Sequence, residues 1–143
     1  MIKLTFAVRR RPDIDPIEFH RYWREEHGPL VQSFRPVLGI ERYVQTHRIQ
    51  TPFNDALRSG RRALEAFDGV AELWWEDLDA LVAAVSSPEG TAAGRTLLED
   101  EARFIDLENS ALWLGEEVEI IPWETTPESE RGRPDAGAGG RRS

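Results

Sequence analysis

Asp15-Pro16-Ile17-Glu18-Phe19-His20-Arg21-Tyr22-Trp23-Arg24-Glu25-Glu26-His27-Gly28-Pro29 is the stretch on which the fold reading turns. Asp15 has the chemistry of an N-cap, Pro16 suits the first helical position, and Glu18 stands where a capping-box partner belongs. At about 100° per residue, Pro16, His20, Trp23, His27, Leu30, Val31 and Phe34 share one face, with Glu18, Arg21 and Glu25 opposite. The spacing predicts a helix from Pro16 to about Phe34, ending before Pro36. Pro29 lies inside it and has no N–H, so a kink or weakened turn is expected near Glu25 to His27.

Working outward, residues 2–9 alternate. Ile2, Leu4, Phe6 and Val8 fall on one side; Lys3, Thr5, Ala7 and Arg9 fall on the other, as in a half-buried strand. Residues 38–48 form a second expected strand, with Ile40, Arg42, Val44 and Thr46 on one side and Glu41, Tyr43, Gln45 and His47 on the other. A long polar connection over 49–66 follows, in which Asn54 could cap a helical turn. Phe67 to Trp75 reads as the third strand. A helix beginning near Asp77 or Asp79 carries Leu78, Leu81, Val82 and Val85 and breaks at Ser86-Ser87-Pro88-Glu89-Gly90. Another helix is expected over 89–104, and a fourth strand from Leu107 to Ile121. Residues 122–143 turn to Pro, Gly, Arg and acids, the composition of a disordered tail. The domain is therefore expected over residues 1–121.

The order β-α-β-β-α-β predicts an α+β, ferredoxin-like fold: a four-stranded antiparallel sheet with its helices on one face. The other face is then left open. Aromatic side chains there would be costly in water, and a second sheet is one solution, giving a homodimer with a cavity between the sheets.

Composition narrows the partners. The chain has 143 residues and a formal charge of −8, which disfavours nucleic acid and anionic membrane surfaces. It has no cysteine, so disulfides, thiolate nucleophiles and Cys-based metal sites are excluded. No apolar run is long enough to span a bilayer and no signal-peptide core is visible, so a cytoplasmic location is expected.

Phe19-His20-Arg21-Tyr22-Trp23-Arg24-Glu25-Glu26-His27-Gly28-Pro29-Leu30-Val31 resembles the first-helix signature of the EthD family, named for ethyl tert-butyl ether degradation. Phe67-Asp68-Gly69-Val70-Ala71-Glu72-Leu73-Trp74-Trp75 resembles that family's third-strand motif. Asp100-Glu101-Ala102-Arg103-Phe104-Ile105-Asp106 resembles its late-helix motif. The resemblance implies a dimeric α+β barrel over roughly residues 1–121. It also implies a small-molecule enzyme, since the wider superfamily holds isomerases, polyketide cyclases, monooxygenases and haem enzymes.

His27 is the lead catalytic candidate, because an imidazole can pass protons near neutral pH without a cofactor. The alternative is a core histidine satisfied by a carbonyl freed at Pro29. His20 reads as a packing residue. Tyr43, Gln45 and His47, with Thr5, Glu72 and Trp74, are expected to line the cavity on the open sheet face and bind a small hydrophobic or aromatic ligand. Glu72 could be an acid or base of raised pKa, or half of an ion pair with an arginine. No cofactor is expected. His20 and His27 stand two turns apart, about 10.5 Å, too far to share a metal ion. There is no phosphate loop and no nucleophile elbow. The function expected is a cofactor-independent lyase, cyclase or isomerase with His27 as acid/base. A ligand-binding accessory protein for a partner oxygenase and a cofactor-free monooxygenase are the alternatives.

Overall fold

The structure, a computed structural model, describes residues 1–125. The tail expected over 122–143 therefore lies, from residue 126 on, outside the described residues. Strand β1 (Ile2–Val8) leads into α1 (Pro16–Tyr22), a π-helical turn (Trp23–His27), α2 (Gly28–Ser33) and the short α3 (Arg35–Leu38). Then come β2 (Arg42–His47), α4 (Pro52–Ser59), β3 (Gly69–Trp75), α5 (Leu78–Ser86), α6 (Pro88–Glu101), a 3₁₀ turn (Leu107–Asn109) and β4 (Ala111–Glu116). The sheet order is β2-β3-β1-β4, and every neighbouring pair is antiparallel. This is the expected ferredoxin-like plait.

Local chemistry sets the helix ends. Asp15 accepts a hydrogen bond from the Ile17 N–H at 2.9 Å, as an N-cap should. Glu18 does not close a capping box; it turns along the exposed side of the helix to pair with Arg21 at 2.6 Å. The expected weakness at Pro29 takes the form of the π turn. Pro29 cannot donate to the carbonyl of Glu25, and the Gly28 N–H reaches back five residues to the Trp23 carbonyl. Thr51, rather than Asn54, caps α4, while Asn54 donates to the Ile49 carbonyl at 2.8 Å. Ser87 caps α6 directly after α5, so the break between them is a single residue.

All four strands are shorter than expected, β1 and β3 by one or two residues and β2 and β4 by more. Leu38 and Gly39 belong to the end of α3, where Gly39 adopts a left-handed conformation (φ 67°), so β2 starts only at Arg42. In β4, Glu116 pairs with Ile2, the first residue of β1. Beyond that point the ladder has no partner strand left. At the other end, Leu107–Asn109 closes a 3₁₀ turn before pairing begins.

The helices pack on the sheet face that carries Leu4, Phe6, Val8, Ala71, Leu73 and Trp75. Two buried clusters form there. One joins Phe6, Val8, Phe19, Trp23, Ala71, Phe104 and Ile105; the other joins Val31, Leu38, Ile40, Trp75 and Ala93. Tyr43 and Leu73 pack against both. The Trp75 indole N–H donates to the Leu38 carbonyl at 2.7 Å, so that buried polar atom is satisfied. No helix among the described residues is long and apolar enough to cross a membrane.

The Trp23 indole packs against β3 at Gly69. A Cβ on Gly69 would stand 2.5 Å from the indole and 2.3 Å from the Thr46 carbonyl oxygen. Gly69→Ala should therefore cost about 1–3 kcal/mol of stability in urea unfolding. Gly60→Ala, whose added methyl would make only an ordinary 3.6 Å contact with the Ala56 carbonyl, should unfold like the parent.

Candidate active site

The sheet register divides the expected ligand-binding set. Tyr43 pairs with Leu73 and Gln45 with Ala71, so these residues and His47 face the helices. Arg42 pairs with Trp74 and Val44 with Glu72, so Arg42, Val44, Thr46, Glu72 and Trp74 take the open face. The expectation that Tyr43, Gln45 and His47 share one cavity wall with Thr5, Glu72 and Trp74 is thus corrected. The physical reason is that each of the three polar side chains of β2 finds a hydrogen-bond partner beneath the helix layer, which offsets the cost of turning inward. On the open face Glu72 pairs with Lys3 at 2.6 Å, not with an arginine. The Lys3 ammonium and the Arg42 guanidinium lie over the Trp74 ring, whose indole N–H donates to Glu117.

Beneath the helices, a cavity of about 240 Å³ lies between the two core clusters. Its walls are mostly apolar, with Phe6, Trp23, Leu73 and Trp75 among them, and they include His27, Tyr43 and Glu101. His27 is buried, with 6% of its surface exposed. The π turn carries it to the end of α6, where its Nδ1 stands 2.8 Å from Asp100 Oδ2. The Tyr22 hydroxyl donates to the other oxygen of the same carboxyl at 2.5 Å. Burial pushes the His27 pKa down, and the Asp100 contact only partly offsets this. At neutral pH the ring is therefore uncharged. A carboxylate at Nδ1 selects the tautomer with its proton there, which leaves the lone pair on Nε2. Nε2 has no hydrogen-bond partner among the described residues. The histidine is thus a neutral base held by Asp100 at the wall of an apolar cavity.

Glu101 is the second titratable group in that wall. Burial, and then the charge of neighbouring Asp100, raise its pKa to about 7. It can be a proton donor at the pH at which His27 is a proton acceptor. Asp100, Glu101 and Tyr22 were not among the residues singled out from the sequence. A signal for Glu101 was present: Ala93, Leu97 and Glu101 recur at intervals of four, which sets a carboxyl in the apolar stripe of α6.

A second set of polar groups runs along β2. His20 Nδ1 lies 2.7 Å from His47 Nδ1, and His47 Nε2 lies 2.8 Å from Gln45 Oε1. Gln45 Nε2 donates both to the Trp23 carbonyl at 2.8 Å and to the Tyr43 hydroxyl at 2.7 Å. Burial, the neighbouring His20 and Arg24 bring His47 down to about 4, and burial also lowers His20. Tyr43, Gln45 and His47 line an outer groove of about 560 Å³, together with Arg24, Arg35 and Gln32. Tyr43, Val31 and Ile40 line both the groove and the inner cavity, so they form the partition between the two.

The EthD domain model matches residues 11–108. Among solved structures, an EthD-family protein from Bacillus halodurans is 23% identical, with a TM-score of 0.55, covering 82% of this chain and 100% of that one. A dimeric ferredoxin-like protein of unknown function from Bacteroides fragilis is 14% identical, with a TM-score of 0.52 and coverage of 81% and 95%. A putative antibiotic biosynthesis monooxygenase from Deinococcus radiodurans is also 14% identical, with a TM-score of 0.50 and coverage of 87% and 100%. At these identities the likenesses establish the fold. A comparison with curated proteins found no match.

The raised pKa of Glu101 has a consequence for stability. Its folded value, about 7, exceeds the ordinary 4.5, so folding favours the protonated acid. The contribution is intact below about 4.5 and is lost as pH rises through about 7. Taken alone, this contribution makes stability fall from pH 5 to pH 8, while the three histidines, held below their ordinary 6.5, act in the opposite direction over the same range. Glu101→Gln should remove this part of the fall and gain up to about 3 kcal/mol over the parent at pH 8.

Proposed function

The chain belongs to the EthD family, and from that membership and the His27 site we propose a cofactor-independent enzyme that moves protons on a small aromatic or polyketide-like substrate, as a lyase, cyclase or isomerase. The observation that carries the proposal is the pairing, in one apolar cavity, of a neutral histidine held through Nδ1 by Asp100 with a carboxyl near half-protonation, Glu101. Burial lowers His27, which keeps it a free base, and raises Glu101 to about 7, which keeps its proton available, so the two make an acid/base pair.

In this reading His27 Nε2 removes a proton from a carbon next to a substrate carbonyl. The C–H electron pair becomes the new C=C bond, the carbonyl electrons move to oxygen, and Glu101 protonates that oxygen. Return of the proton from His27 to another carbon, with recovery of the oxygen's proton by Glu101, isomerises the substrate. The same first step activates a carbon for cyclisation or elimination. No electron is gained or lost, so no redox partner is needed. The cavity lies below the about 300–1,000 Å³ of drug-sized sites, which suits one ring or two fused rings. Gln45 and His47 stand in the outer groove, where they would meet a longer substrate. Glu72 and Trp74, on the open face, take no part in this site.

We further infer that the protein is a homodimer joined through the open sheet face. Trp113, on that face, leaves 53% of its surface exposed in the single chain. Light scattering at micromolar concentration should return the mass of two chains, and Trp113→Glu should return the mass of one. A monomeric parent would overturn the dimer.

The acid/base reading is tested with 1-tetralone and 2-tetralone in deuterated buffer at pH 7, with exchange of the hydrogens next to the carbonyl followed by NMR. The parent should accelerate exchange. His27→Ala should abolish the acceleration, and Asp100→Asn should reduce it by about 10–100-fold with the melting temperature little changed. Binding of the ketones without any accelerated exchange would assign the protein to ligand carriage instead.

A further inference from the structure

The hydrogen-bond chain along β2 decides the direction of one proton that the mechanism above does not use. A backbone carbonyl can only accept, so the contact with the Trp23 carbonyl fixes which end of the Gln45 amide is the nitrogen. The two hydrogens of that nitrogen are then both committed, one to the Trp23 oxygen and one to the Tyr43 hydroxyl oxygen. Tyr43 is the acceptor in that contact. Its own O–H proton has no acceptor among the described residues.

The other end of the hydrogen-bond chain is fixed in the same way. Gln45 Oε1 faces His47, so His47 Nε2 carries a proton and its Nδ1 accepts from His20 Nδ1–H. The order of donors is therefore locked from His20 to Tyr43 by a single carbonyl. The lock exists because the π turn brings the Trp23 carbonyl to the edge of β2 and because residue 28 is glycine. A Cβ there would stand 3.2 Å from Gln45 Nε2. Tyr43 forms part of the partition between groove and cavity, and Glu101, whose charge acts on its phenol, stands in the cavity wall.

We propose that Tyr43 is a catalytic residue of this site, its O–H donating a hydrogen bond to the substrate oxygen on which negative charge builds. The inference rests on the His27 reading for the origin of that charge, but the donor itself follows from the hydrogen-bond pattern alone. Burial holds the phenol in its protonated form, so the donor persists through neutral pH. For a ketone in the inner cavity Gln45 is a positioning residue, acting there through Tyr43. A fixed donor of this kind is preorganised, because the phenol has no competing acceptor to leave.

The test uses 1-tetralone as probe, with the infrared carbonyl stretch of the bound ketone read alongside deuterium exchange. Tyr43 packs against both core clusters, and Phe keeps the ring, so Tyr43→Phe should fold like the parent. The carbonyl stretch should be shifted to lower frequency in the parent and in His27→Gln, and in Tyr43→Phe it should move back toward its position in apolar solvent, keeping only the shift that the Glu101 carboxyl supplies. Exchange should fall about 100-fold in Tyr43→Phe. Gln45→Leu keeps the phenol but releases its orientation, and the shift should shrink without vanishing. An identical stretch in the parent and Tyr43→Phe overturns the proposal, as does the absence of any bound-ketone band in the parent. A shift that depends on Tyr43 without accelerated exchange in the parent keeps the donor and removes the proton-transfer reading, so the two fail separately.

Discussion

Pro29 has no N–H to offer, and the helix that contains it answers with one wide turn. The Trp23 carbonyl, reached by Gly28 from five residues on, is left open enough to accept a second hydrogen bond from Gln45. Much of the site follows from that single displaced carbonyl. It orients the Gln45 amide, which orients Tyr43 on one side and the two histidines of β2 and α1 on the other. The extra residue in the turn also rotates the end of the helix, so that His27 meets Asp100 at the end of α6. A regular helix through this stretch would supply neither the acceptor nor the rotation.

The packing around this turn leaves little freedom. Trp23 is buried against Gly69, and Phe19, His27 and Tyr22 all lie near the Phe104 ring or its neighbours. The centroid separation is 5.6 Å for Phe19 and Phe104 and 5.1 Å for His27 and Phe104. Aromatic contacts of this kind make α1, the π turn and the end of α6 one unit, with His27 in its middle. The cavity lies where that unit and the second cluster, around Trp75, fail to close on each other. The titratable groups at its edge are tuned by this dry setting: it favours neutral His27, neutral Glu101 and neutral Tyr43 together. An imidazole that accepts, a carboxyl that gives and a phenol that donates a hydrogen bond are what proton transfer beside a carbonyl requires.

The two faces of the sheet have separate uses. The covered face holds the cavity and, in its wall, His27, Tyr43 and Glu101, whose proton affinities burial perturbs. The open face carries charge pairs laid over indoles, with Lys3, Glu72, Arg42 and Trp74 in contact. Such a surface is neither a dry core nor an ordinary solvated one, and it suits contact with a second sheet.

Periodicity, capping residues and the three motifs were enough to determine the element order, the α+β plait, the family and the weak turn before Pro29. These are local properties: each depends on residues within a few positions of one another. His27 also stood out from the sequence, as a histidine on an apolar stripe beside a helix-breaking residue. What only the tertiary structure decided was which side of β2 faces the helices, and with it the company of Tyr43, Gln45 and His47. Alternation along a strand reveals two sides but not which one is covered, since a polar side chain can turn inward wherever a distant carbonyl waits for it. The partners of His27 were hidden for a related reason. Asp100 stands 73 residues from His27 and 78 from Tyr22 in sequence, and it meets them only because the chain folds the end of α6 back onto α1 and the π turn. Glu101 broke an apolar stripe that could be read, yet its high pKa comes from burial, which belongs to the assembled fold and not to any stretch of the chain.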